Sequence, residues 1–183
     1  TPLTEDGSAI DYASLERVLR LQERAGNGIV LLGSTGEGLS LTDQERREAV
    51  KFMCGLNLKT SMLVGVPSHN LFLAQEWIKF ANDLPISGYL MTTPIYTKLG
   101  IIGQTKSFEV LLNQSKHPAM LYNIPGRAAI KLHAESVKNL QGHENFWAIK
   151  DSSGTIETIV EYKIAAPNIE IFCEALSALP AEE

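Results

Sequence analysis

An α/β fold, with a parallel sheet covered by helices, is what this 183-residue chain predicts, and three observations carry it. Six short apolar runs start at residues 29, 61, 89, 119, 146 and 169, so they recur every 23 to 32 residues. Each gap between them holds one helix-length segment with its own start or stop signals, the alternation of βα units. The runs are nearly continuous in apolar residues, as strands buried on both faces are. A doubly wound sheet and a (β/α)₈ barrel both fit this pattern. No linker, low-complexity segment or charge block divides residues 1–183, which are read as one domain.

In chain order, Leu15, Val18, Leu19 and Leu21 recur at helical spacing between Asp11 and Gly26, and Gly26 and Gly28 stop that helix before the strand Ile29 to Leu32. Thr42 is an N-cap, Glu45 completes a capping box, and a second helix runs through Val50, Phe52 and Met53. A strand at Ser61 to Val64 follows. The unit then repeats as a helix about Leu71 to Ala81, a strand Tyr89 to Thr92, a helix about Ile102 to Asn113 and a strand Ala119 to Tyr122. Next come a helix about Ala134 to Leu140, a strand from Phe146, a helix about Ile156 to Ala165 and a last strand Ile169 to Cys173.

A hydrophobic share of 44% with 20% charged residues is the balance of a globular protein and excludes a disordered chain. A net charge of −5 and a pI near 5.4 argue against nucleic acid or an anionic membrane surface as partner. No run approaches the length of a membrane span, and the polar start Thr1 to Asp6 is not a signal peptide, so a cytoplasmic protein is expected. The missing initiator methionine points to a start inside a longer sequence. Cys54 and Cys173 lie far apart and are expected to be buried free thiols. His69, His117, His133 and His143 fall in turns or helix starts without metal-ligand spacing, and no metal site is expected.

Chemistry is concentrated where the strands end. Ser34 and Thr35, Thr92 and Thr93, Tyr122 and Asn123, and Lys150 all stand at C-terminal strand ends, where both candidate architectures build their sites. The stretch Phe146 to Gly154 is the most telling, since it ends an apolar run in a lysine. Period-2 alternation puts Phe146, Ala148 and Lys150 on one face and Trp147 and Ile149 on the other. Partial desolvation favours the neutral amine of a lysine, and a neutral amine attacks carbonyls to form Schiff bases. A strand-end lysine that snorkels to water is the competing reading, and this segment alone does not choose. The loop Gly33 to Gly38 lacks the spacing of a P-loop or a dinucleotide fingerprint; it is either a tight turn or a cradle for a small carboxylate.

Four segments taken in order, Gly33-Ser34-Thr35-Gly36-Glu37, Thr93-Pro94-Ile95-Tyr96, Tyr122-Asn123-Ile124-Pro125-Gly126-Arg127 and Ile149-Lys150-Asp151-Ser152-Ser153-Gly154, resemble the motif series of the dihydrodipicolinate synthase family. That family belongs to the N-acetylneuraminate lyase class of Schiff-base aldolases. The resemblance spans essentially the whole chain. It implies a (β/α)₈ TIM barrel and the condensation of pyruvate with L-aspartate 4-semialdehyde to 4-hydroxy-tetrahydrodipicolinate, on the diaminopimelate route to lysine. By the same resemblance Lys150 forms the imine, and Tyr122, Ser34 and Tyr96 relay protons, Tyr96 from a neighbouring subunit of a homo-oligomer (a dimer of dimers). Thr35 binds the pyruvate carboxylate and Arg127 the carboxylate of the second substrate, with no metal or organic cofactor. Without the resemblance, Tyr96 is a loop aromatic and Arg127 an exposed loop arginine.

The chain departs from the family in places. Ser34 replaces the usual threonine and keeps the hydroxyl, and Phe172-Cys173-Glu174-Ala175 stands where a Gly-Asp or Gly-Glu pair is usual. Gly38, Leu39, Asp43, Arg46, Ala74 and Ile95 replace residues with which lysine-inhibited members bind lysine, which implies weak or absent inhibition. Matched to the family, the six strands leave the first and eighth, and a C-terminal helical region, outside residues 1–183. The expectation is therefore an incomplete barrel forming a partial catalytic domain. The alternatives are another pyruvate-dependent aldolase of this fold, acting on N-acetylneuraminate or a 2-keto-3-deoxy sugar acid, and a non-catalytic barrel fragment.

Overall fold

The computed structural model describes residues 1–173. Its elements are α1 (Tyr12–Arg24), β1 (Ile29–Leu31), α2 (Asp43–Gly55), β2 (Met62–Val66), α3 (Leu71–Ala81), β3 (Gly88–Thr92), α4 (Ile101–Gln114), β4 (Ala119–Asn123), α5 (Pro125–Ala128), α6 (Ala134–Leu140), β5 (Phe146–Asp151), α7 (Ile156–Ala165) and β6 (Glu170–Cys173). All six strands are parallel and pair in chain order. The sheet curls through 190° into a half-barrel whose edges stand 13 Å apart. At the usual spacing of roughly 4.8 Å between strands, that gap is about the width of two more, the geometry of an incomplete (β/α)₈ barrel. The choice between doubly wound sheet and barrel falls to the barrel because the strand order never reverses.

The signals read from sequence act as expected at the helix ends. The Thr42 side chain accepts from the Glu45 amide while the Glu45 carboxylate accepts from the Thr42 amide, closing the capping box of α2. The Asp11 and Asn70 side chains cap α1 and α3 by accepting from the Ser14 and Leu73 amides, without the reciprocal bond. The four-residue α5 escapes the sequence pattern because a single turn starting on Pro125 has no periodicity to display.

The curved sheet separates two cores. Outside it, Val64, Tyr89, Met91, Leu121 and Ile149 pack against helix residues such as Trp77. The Tyr162 phenol, pushed up by its burial, donates to the Leu132 carbonyl at 2.7 Å and ties α7 to the α5–α6 connection. Inside lies a smaller cluster of Leu63, Leu90, Met120, Tyr122 and Ala148 with their neighbours.

Two expectations are corrected. Phe146 packs in the outer core with Ile149, and Trp147 packs against the inner cluster, so simple alternation fails at the start of β5. The pairing steps from Ala119↔Phe146 to Met120↔Ala148, leaving Trp147 as the extra residue of a β-bulge that resets which face follows. Cys173 is exposed, since it closes the last described edge strand, whereas Cys54 is half-buried and its thiol is pushed up by desolvation. Glu174 and Ala175, part of the departure noted above, lie outside the described residues.

The connection after β1 is pressed hard against β2. A Cβ built on Gly65 would stand 2.4 Å from the Leu32 carbonyl oxygen, and one on Gly38 would stand 2.3 Å from the same atom. Leu32 itself holds a left-handed backbone, φ 60°, a conformation costly for a branched side chain. Gly65→Ala is therefore expected to lower stability by about 1–3 kcal/mol in urea unfolding, while Gly142→Ala, in open space, stays within about 0.5 kcal/mol. Equal midpoints for the two variants would show that the contact with Leu32 is not tight.

Candidate active site

The site forms on the inner face at the C-terminal ends of the strands. Register pairs Thr92 with Tyr122, Tyr122 with Lys150 and Lys150 with Phe172, so these four residues form one row across β3 to β6. One step down, Leu90, Met120 and Ala148 make an apolar floor. Ala148, two residues before Lys150 on the same face, is the small residue that leaves the lysine room. Lys150 is half-buried and its Nζ lies 4.2 Å from the centroid of the Tyr122 ring. Tyr122 is 2% exposed, and the Ser152 hydroxyl donates to its phenol oxygen at 3.4 Å.

A cavity of about 380 Å³ opens beside this row. Ser34 and Gly33 from the β1–α2 loop, Gly65 and Ser68 from the end of β2, and Tyr122 and Arg127 from the β4 side are in its wall. The structure thus brings Ser34, Tyr122 and Arg127 around one space, with Lys150 against the Tyr122 ring. It does not bring in every residue picked from sequence. Thr35 is exposed next to Ser34 and outside the cavity wall. Tyr96 is 91% exposed and held at φ 70°. Among the described residues no group of three His, Cys, Asp or Glu side chains is placed to hold a metal ion.

Sequence reasoning gave no role to the residues that fix this geometry, although it noted Asn123 at a strand end. Asn123 and Asp151, each one step beyond Tyr122 and Lys150, are fully buried and paired in register. The Asn123 amide donates to the Asp151 carboxylate at 2.6 Å and its Oδ1 accepts from the Leu132 amide at 2.8 Å. The other Asp151 oxygen accepts from the Ser153 amide at 3.2 Å and the Ser153 hydroxyl at 2.6 Å. The Ser152 amide donates to the Asn123 carbonyl at 2.8 Å. A signal existed: an asparagine and an aspartate end apolar strands 28 residues apart, the same separation as Tyr122 and Lys150.

An amine and a phenol stand together at the C-terminal mouth of a parallel, helix-covered half-barrel. The chain belongs to the Dihydrodipicolinate synthetase family, whose profile matches residues 1–178. It is 57% identical over 180 residues to the 4-hydroxy-tetrahydrodipicolinate synthase of Wolbachia pipientis subsp. Culex pipiens, a match covering 98% of this chain and 61% of that protein. The enzyme of the same name from Chlamydia pneumoniae is 53% identical over 173 residues, 94% of this chain and 59% of that one. The chloride-inhibited dihydrodipicolinate synthase of Acinetobacter baumannii, solved with pyruvate, superposes with a TM-score of 0.88 at 27% identity, over 94% of this chain and 60% of that one. The chain thus spans about three fifths of the length of the relatives it matches.

The buried pair predicts a measurable cost. Asn123→Leu leaves the Asp151 carboxyl and the Leu132 amide each short of a partner, and unfolding in urea is expected to show a loss of about 3 kcal/mol. An unchanged midpoint would mean that water or another donor substitutes and that the pair does not hold the strand ends.

Proposed function

We propose that this chain is the catalytic barrel of a pyruvate-dependent lyase, with Lys150 as the Schiff-base residue and L-aspartate 4-semialdehyde as the second substrate. The observation that carries the reading is the Lys150 amine 4.2 Å from the Tyr122 ring centroid at the open end of the inner face, in a chain of the family named above. The Lys150 amine attacks the C2 carbonyl of pyruvate and water leaves, giving the imine. Loss of a C3 proton gives an enamine, whose C3 adds to the aldehyde carbon of the second substrate. The amino group of that substrate then closes on C2 and releases Lys150, which yields 4-hydroxy-tetrahydrodipicolinate.

Tyr122 is the acid and base for these transfers, because a phenol beside the amine both donates and accepts protons. Ser34, across the same cavity, carries protons onward, and Thr35 with its loop backbone holds the pyruvate carboxylate. The exposure of Tyr96 supports a role that reaches a neighbouring subunit, in a homo-oligomer built as a dimer of dimers. Arg127 in the cavity wall offers a forked donor to the carboxylate of the second substrate, which favours the synthase over a sugar-acid aldolase. Among the described residues no helix is long and apolar enough to cross a membrane, which supports a cytoplasmic enzyme. The scheme needs neither metal nor organic cofactor.

Borohydride added with pyruvate to the full-length protein is expected to leave a reduced adduct on Lys150, found by peptide mass mapping. An adduct on Lys98 or Lys131 in its place would sink the mechanism. Tyr122→Phe is expected to retain that adduct while steady-state turnover falls about 10²- to 10⁴-fold, and near-normal turnover would remove Tyr122 from proton transfer.

A further inference from the structure

Ser152 stands beside the lysine and tyrosine of the site, and the scheme above gives it no part. β5 ends at Asp151, yet the pairing with β4 runs one residue further, because the Ser152 amide donates to the Asn123 carbonyl at 2.8 Å. Alternation along an extended chain puts Ser152 on the same face as Lys150, two residues after it. Asp151, between them, faces the other way into its buried hydrogen bond with Asn123. On the far side the Ser153 amide and hydroxyl both donate to Asp151, and Gly154 turns the chain at φ 79°. The Ser152 backbone is thus anchored on both sides, and its short side chain has little freedom left to lose.

What this anchored hydroxyl meets is the oxygen of Tyr122. The Tyr122 ring is held among Leu63, Leu90, Met120 and Ala148 and is almost wholly covered. The Lys150 amine lies against the ring, 4.2 Å from its centroid, while the Ser152 hydroxyl donates to the phenol oxygen at 3.4 Å. The two side chains therefore serve different parts of one tyrosine. A phenol that gives up its proton in so buried a place leaves a charged oxygen, which is costly unless a donor faces it. A hydroxyl donating to an anionic oxygen draws in to about 2.5–2.7 Å, and hydrogen bonds that serve catalysis are commonly long until the reacting groups are in place. Ser34 belongs to another wall of the cavity, on the β1–α2 loop. Ser152 comes from the strand that bears Lys150, so β5 itself sets its distance to the amine.

We propose that Ser152 is a positioning residue for Tyr122: it holds the phenol oxygen in place and donates to that oxygen while the phenol is without its proton. The proton passes between the phenol and the reacting atoms, and Ser152 keeps its own throughout. The proposal rests on the reading of Tyr122 as the acid and base of the reaction.

The test is a double-mutant cycle on the full-length protein, with pyruvate and L-aspartate 4-semialdehyde as substrates. Ser152→Ala is expected to lower kcat about tenfold, the worth of one hydrogen bond to a charged oxygen, and to leave KM for pyruvate within about twofold. Ser152→Thr, which keeps the hydroxyl, is expected to hold kcat within about threefold of the original. In the Tyr122→Phe background, where the oxygen is gone, adding Ser152→Ala is expected to change kcat by less than about twofold, because residues that act through each other do not add. An equal loss from Ser152→Ala in both backgrounds, an unchanged kcat in Ser152→Ala alone, or a folded Ser152→Thr as slow as Ser152→Ala would overturn the role of Ser152 and leave the reading of Lys150 and Tyr122 standing. Near-normal turnover in Tyr122→Phe alone, or a borohydride adduct on another lysine, would bring down the catalytic reading and this proposal with it.

Discussion

The register between β4 and β5 is the constraint on which this site depends. Tyr122 opposite Lys150 is useful only if both point inward, and in a sheet a slip of one residue sends every side chain to the other face. The bulge at Trp147 sets that register, since it absorbs one residue of β5 before the paired segment begins. The Asn123–Asp151 hydrogen bond then locks it from the far side, one residue beyond the pair. A slip would separate the two and leave a buried carboxyl without its donor, so the polar pair opposes misregister more strongly than apolar neighbours, which tolerate many packings, are able to.

A second constraint acts across the mouth, at the loop after β1. Ser34 belongs to a connection whose Leu32 carbonyl is wedged between Gly38 and Gly65. Neither position has space for a side chain, so the loop backbone lies in direct contact with β2. Backbone is the least compliant surface in a protein, and a hydroxyl carried on such a loop is held better than one on a loop packed through flexible side chains. The same close approach explains why Gly65 belongs on the inner face of β2, where the row below Thr92 and Tyr122 would otherwise take a larger residue.

Much of this architecture was legible in the sequence, and what was not has identifiable causes. The six strands and their helices follow from apolar runs and signals such as the Thr42 capping box, whose effects are local. Lys150 and Tyr122 stood out because a polar residue at the end of an apolar strand is conspicuous. Trp147 was misplaced because a bulge depends on the neighbouring strand, and period-2 counting cannot see a partner. The pairing of Asn123 with Asp151 was missed because the meaning of each lies in the other, 28 residues apart. Cys173 looked buried because burial is the default for a free thiol, and that default takes no account of its place on the last strand of the described sheet.

The two faces of the curved sheet divide the work. Burial that stabilises the fold sits on the outer face, where Trp77, Tyr89, Phe108, Leu121 and Ile149 are wholly covered. Hydrophobic stabilisation scales with apolar area removed from water, so the inner row contributes less, with Lys150 and Thr92 only half-buried and Phe172 45% exposed. Tyr122 is the exception in that row, being almost wholly buried while its phenol meets the Ser152 hydroxyl. It thus packs the inner cluster through its ring while its side chain also lines the cavity. That dual demand explains a tyrosine there, because no other side chain combines so large an apolar body with a hydroxyl that both donates and accepts.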